Sequence, residues 1–178
     1  MGSNPTRTDN FNMIQDKQNT IKKLYDWMEN FLEIPRESLG GWALCPFAKK
    51  ARLKNRIHIS FIDWSNLDKE IELSINALKE KEVGALLFDP SEMNNTELQK
   101  YINDKLNPRL MKNNHIVIVD HPEEKETLKG LSTHFGEAGI ILVFELDKLN
   151  KATMYLKSEG YFNHWPWEKI IDGIDWRL

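Results

Sequence analysis

The segment HIVIVDHPEEKETLKGLSTHFGEAGIILVFEL, His115–Leu146, is where the fold is decided. It opens on HIVIVD, the clearest strand pattern in the chain, and closes on the apolar run GIILVFEL. Between them, PEEKETLKGL has the chemistry of a helix start, with Pro122 at the first helical position and acids in the opening turn. A helix between two strands is a crossover, and crossovers join parallel strands. The segment therefore predicts a strand, a helix and a second strand parallel to the first.

Working outward, the same alternation recurs. RIHISFID places Ile57, Ile59 and Phe61 on one face of a strand, and VGALLFDP is an apolar run stopped by Asp89-Pro90. Leu67, Ile71, Ile75 and Leu78 form a helical stripe between them. Leu98, Tyr101, Ile102 and Leu106 form another, interrupted at Pro108. Strands are thus expected near 57–62, 83–88, 115–120 and 140–145.

Upstream, Ile21, Leu24, Tyr25, Met28, Phe31 and Leu32 recur at helical spacing, with Asn19 or Thr20 as cap and Pro35 as the stop. Gly40-Gly41 marks a turn, and CPFAKKARLKN reads as a short helix. Downstream, DKLNKATMYLKSEG is a helix closing on Gly160, and HWPWEKIIDGIDWRL packs back through Trp165, Trp167 and Ile170. The expected architecture is a single three-layer α/β domain over residues 18–178, with an N-terminal helix pair and a central, largely parallel four-stranded sheet. Residues 1–17 read as a flexible leader. A ferredoxin-like α+β fold built on a split β-α-β unit is the alternative, if one helical segment is really an irregular loop.

With 178 residues, 40% hydrophobic and 29% charged, the chain has enough apolar material for one core. Its net charge of −3 comes from mixed acids and bases with no basic block, so a nucleic-acid partner is not expected. No apolar run approaches the ~18 residues of a membrane span. The polar stretch Met1–Asp16 lacks the apolar core of a secretory signal. Met1-Gly2 with Thr6 fits the loose myristoylation pattern, but Pro5 interrupts it and no polybasic patch follows. A single cysteine excludes an internal disulfide and suits a cytoplasmic location.

That cysteine lies in LGGWALCPFAKK, Leu39–Lys50. Cys45 stands at a helix N-cap, Pro46 takes the first helical position at no hydrogen-bonding cost, and Lys49 and Lys50 follow one turn on. Free N–H groups and the helix dipole favour thiolate over thiol, so this position suits a nucleophile. Equally, free cysteine behaves as a small apolar filler, and Leu44, Phe47 and Ala48 are apolar neighbours.

CPFAKKAR resembles the active-site turn of glutaredoxins, Cys-Pro-Tyr/Phe-Cys followed by basic residues. Ala48 replaces the second cysteine, and no Thr/Val-Pro signature of a cis-proline loop follows. More broadly, the chain resembles a bacterial domain family of unknown function whose members carry Leu-Cys-Pro-Phe-Ala after an N-terminal helix. Later come an apolar strand ending near a proline and a His-Pro after another strand. Leu44–Ala48, Leu86-Leu87 with Pro90, and His121-Pro122 carry that resemblance over about residues 20–122. It implies a shared site and brings no reaction with it.

In a parallel sheet the site lies beyond the carboxyl ends of the strands, where Asp63, Asp89 and Asp120-His121 are expected. Cys45, His121 and Asp120 would make a nucleophile, base and orienter, with Asp89, Asp63 and Lys49 as ligand-binding residues. Each aspartate equally suits a turn or a cap. His58, His115, His121, His134 and His164 show no metal-ligand spacing, and neither metal nor cofactor is expected. HFGEAG, His134–Gly139, precedes a strand rather than following one, so it is a connection and not a phosphate loop. Two functions follow: a thiol-dependent enzyme acting through Cys45, or a non-catalytic module binding a small molecule or a protein.

Overall fold

A computed structural model describes residues 7–125 and 127–178. The N-terminal helix α1 (Arg7–Trp27) continues into a π-helical turn at Met28–Leu32. The first six residues of the expected leader, and the Met1-Gly2/Thr6 pattern, lie outside the described residues. A small antiparallel pair, β1 (Pro35–Arg36) and β2 (Trp42–Ala43), leads to the short helix α2 (Ala48–Leu53). Then come β3 (Ile57–Phe61), α3 (Leu67–Ala77), β4 (Val83–Phe88), α4 (Asn95–Tyr101) and α5 (Asn107–Leu110). The chain continues through β5 (His115–Asp120), the two-residue strands β6 (Thr127–Leu128) and β7 (Leu131–Ser132), and β8 (Gly139–Glu145). It finishes with α6 (Leu146–Ser158) and α7 (Trp167–Gly173). No helix among the described residues is long and apolar enough to cross a membrane.

The central sheet has the order β3-β4-β8-β5. Only β3 and β4 pair in parallel; β8 runs antiparallel to both of its neighbours. The expectation of a largely parallel sheet is therefore overturned. The cause is the segment after β5, which forms no crossover helix. Lys129 (φ 50°) and Gly130 (φ 79°) are both left-handed and make a two-residue hairpin turn that pairs β6 with β7. The acids expected to open a helix are instead drawn to His121: the N–H of Glu123 donates to its Nδ1 and that of Glu124 to its carbonyl. A chain that returns without a crossover can only come back antiparallel.

β4 and β5 still run in the same direction, joined through α4 and α5, with β8 inserted between them. This is a split β-α-β unit. It is not a ferredoxin-like sheet, because β3 lies beside β4 with no strand between them. Helices cover both faces. α3, α4, α5 and the turn Ile102–Leu106 between the last two bury Leu67, Ile71, Leu98, Ile102, Leu106 and Leu110 against Leu86, Phe88, Val117, Ile141 and Val143. On the opposite face Leu24, Met28, Ala48 and Ala51 pack on Ile57, Ala85, Leu87 and Ile140. Each fully buried branched side chain of this kind contributes roughly 1.5–3 kcal/mol.

Pro108 does not stop its helix as expected. The chain widens into a π-helical turn at Ile102–Leu106 and runs on into α5. Asn107, at the junction, is buried and reaches the outer edge of β5. Its amide nitrogen donates to the Val117 carbonyl (3.0 Å) and its oxygen accepts from the Val117 N–H (2.9 Å). A side-chain amide thus replaces a neighbouring strand at this edge. At the C-terminus Trp165 and Ile170 pack with Phe162 and Tyr161, but Trp167 is 66% exposed and anchors nothing. Over the first residue of β8 lies the ring of Phe88, its register partner, so close that a Cβ at Gly139 would sit 2.0 Å from the ring.

Replacing Asn107 by alanine leaves a buried donor and acceptor on Val117 unpaired, which costs about 1–3 kcal/mol. Urea unfolding of Asn107→Ala is expected to show that loss, and a change below about 0.5 kcal/mol would mean that water takes the place of the amide.

Candidate functional site

The connection from α2 to β3 is three residues long, with Arg56 N–H donating to Ala51 O at 2.8 Å. The C-terminal end of α2 is thereby pinned at the start of β3, and Cys45 is carried towards the opposite end of the sheet. Glu33, just past the π-helical turn, takes both forks of the Arg52 guanidinium at 2.7 and 2.9 Å, fastening α2 to the end of α1. Between these helices, the sheet and α6 lies a cavity of about 670 Å³. Its floor is Ala85, Ile140, Leu142 and Phe144; its walls are Leu24, Trp27 and Met28 on one side and Leu149 and Ala152 on the other. Cys45, Asp120 and Thr133 line one end.

Cys45 is partly buried, and the backbone N–H groups of Phe47 and Ala48 favour its thiolate, as a cysteine ahead of a helix start is expected to find. The expected electrostatic result does not follow. Burial pushes the thiol up, those two N–H groups oppose it, and the Glu33 carboxylate raises it further. The position is also less helix-like than expected, because α2 begins at Ala48 and Phe47 occupies the cap. Tyr161, whose hydroxyl donates to the Leu44 carbonyl at 2.5 Å, closes the far side; burial chiefly, and then Cys45, push its phenol up as well.

Asp120 lines the same cavity, but its partner is not the predicted one. One carboxylate oxygen meets His134 Nδ1 at 2.5 Å and the other accepts the Phe135 N–H at 3.1 Å. The pair is mostly enclosed, with side-chain exposures of 18% and 11%. His121 is 1% exposed and packs against Phe88, which belongs to the α3–α5 face. Its Nε2 lies 2.9 Å from the Met93 carbonyl while Nδ1 accepts from Glu123 N–H, so both ring nitrogens are occupied. It is a latch between loops and is not placed as a base for Cys45.

The remaining expected residues serve turns. Asp63 is exposed, and its Oδ1 accepts from Ser65 Oγ, Ser65 N and Asn66 N, which hold it below the usual carboxylate range. Asp89 does the same with Ser91 Oγ and N. Lys49 is exposed on α2 and does not line the cavity, whereas Lys50 does. Among the described residues no group of three or more His, Cys, Asp or Glu is placed to hold a metal ion. The residue missed by sequence reasoning is His134. It sits in a stretch read as a bare connection, and no spacing links it to Asp120 across the intervening hairpin.

A thiol raised by burial binds its proton more tightly in the folded chain than in the unfolded one. Between the unfolded value near 8.5 and the folded value, the native state therefore holds more protons, and stability falls as pH rises. Alkylation of Cys45 by iodoacetamide is expected to have its midpoint above about pH 8.5, and Cys45→Ala to flatten the alkaline loss of stability. A midpoint below that value would reverse the assignment of burial as the dominant effect. The chain matches no family model, and no similar curated protein or solved structure is found for it.

Proposed function

We propose that the chain binds a small, largely apolar molecule in the cavity between the sheet, α1, α2 and α6. The observation that carries this reading is the cavity itself: at about 670 Å³ it falls within the range of small-molecule sites, and its floor and walls are apolar. Cys45 then serves as part of the lining at the end that also holds Asp120. The Leu-Cys-Pro-Phe-Ala resemblance supports a shared site at this place. A cytoplasmic setting, where a lone thiol stays reduced, suits the reading.

A thiol-dependent reaction is the second reading. It is favoured by one observation, that Cys45 and Asp120 line the same cavity, with the Phe47 and Ala48 backbone N–H groups favouring thiolate. Such a reaction needs thiolate, which burial and Glu33 oppose. Binding is therefore the better-supported function.

A polarity-sensitive naphthalene dye is expected to bind the native protein at one equivalent and to slow iodoacetamide labelling of Cys45. Ala152→Phe fills the cavity from the α6 wall, and is expected to weaken dye binding at least tenfold with cooperative thermal unfolding retained. Dye binding unchanged in that variant would overturn the proposal, since the dye would then sit elsewhere.

A further inference from the structure

The two ends of the cavity differ in chemistry. In the β3–β4–β8 register Ile57 lies opposite Val83 and Gly84 opposite Val143, so Arg56, Val83 and Glu145 share one end of the sheet. Asp120 lies opposite Ile140 at the other. The floor from Ile140 to Phe144 spans four residue steps of one strand, about 14 Å at ~3.4 Å per residue. A floor of that length matches an extended alkyl chain of about ten or more carbons, with apolar residues of α1 and α6 lining the same space.

At the inner end, among the described residues that line the cavity, no cation is present to hold an anionic head group. The Cys45 thiol is pushed towards its neutral form, and both Asp120 oxygens already accept hydrogen bonds. The opposite end is charged, with five cations lining it (Lys50, Arg56, Lys79, Lys81 and Lys148) against three carboxylates. Two of the cations are neutralised in place: Lys148 by Glu145 at 2.7 Å, and Lys50 by Glu82 at 3.9 Å. Arg56 and Lys81 donate to the carbonyls of Glu80 and Asn55 and keep their charge. Lys79 is exposed and, among the described residues, its ammonium makes no hydrogen bond or ion pair.

Resting on the binding function proposed above, we infer that the occupant is a single-chain amphiphile of the fatty-acid class. Its unbranched alkyl chain lies along β8 towards Cys45, and its carboxylate is held at the charged mouth by Lys79. The mouth carries an excess of two positive charges and one ammonium without a partner, which fits a monoanion and disfavours a cationic head group. A neutral head group would leave that field unused.

Displacement of the naphthalene dye by laurate, 1-dodecanol and dodecyltrimethylammonium, each below its aggregation concentration, tests the assignment. Laurate is expected to bind at least tenfold more tightly than the other two. Lys79→Glu, an exposed substitution outside the core, is expected to weaken laurate about tenfold and leave dodecanol unchanged, while Ala152→Phe weakens all three. Equal binding of laurate and dodecanol, or no effect of Lys79→Glu, would overturn the head-group assignment while the cavity remained a binding site. If none of the three displaces the dye, the amphiphile is excluded and the dye alone supports the cavity. If the dye fails as well and the chain sediments as a dimer, a second copy covers the groove and both readings fall.

Discussion

β8 is hydrogen-bonded along both edges, to β4 on one side and β5 on the other, and the sheet is a single object only because of it. Remove it and β3–β4 becomes a two-stranded parallel piece, while β5 has nothing on either side but the amide of Asn107. Its side chains reach both cores: Ile141 and Val143 face α3–α5, while Ile140 and Leu142 face α1 and α2. The cavity takes its floor from this strand, since Ile140, Leu142 and Phe144 of β8 line it with Ala85 of β4 beside them. A small residue at 85 leaves room there that a leucine would fill.

The positions of the four main strands were legible in the sequence because apolar runs bounded by Asp-Pro, Asn-Asn and Gly are unambiguous. Their pairing was not. A strand buried on both faces carries the same apolar run whether its neighbours are parallel or antiparallel. What decides the matter is Lys129-Gly130, a two-residue turn that resembles an ordinary helical stretch when read with Pro122 and its following acids. The backbone N–H groups of Glu123 and Glu124 are instead taken by the Nδ1 and the carbonyl of His121. The helical spacing of 146–158 with Gly160 behind it was legible for the opposite reason: its stripe, length and left-handed stop all agree.

At the site, the sequence suggested a Cys45 thiol favoured as thiolate by nearby backbone N–H groups, and Phe47 and Ala48 do act in that direction. The sign of their net effect was not legible, because it depends on desolvation by residues distant in the chain. Tyr161 closes over Leu44 from 117 positions away, and Glu33 is held nearby by Arg52. The nearby backbone N–H groups offset burial only partly. Asp120 lines the cavity at the end of β5, but His121, its neighbour, packs against Phe88 in the other core. Adjacent residues leaving a strand diverge, so a carboxylate and an imidazole next to each other in sequence are poor candidates for one cluster. The partner came instead from His134, on the return limb of the same loop.

The contact between Phe88 and Gly139 has a consequence for how this sequence can drift over time. The two positions are register partners on β4 and β8, and the ring occupies the volume that any side chain at 139 would need. Gly139 cannot gain a side chain while that ring stays where it is. In sequences descended from a common ancestor with this chain, 88 and 139 should therefore vary together, with a larger residue at 139 appearing only where 88 has lost its ring. Such a pair would be a visible trace of the antiparallel register, since a parallel arrangement would put neither residue opposite the other.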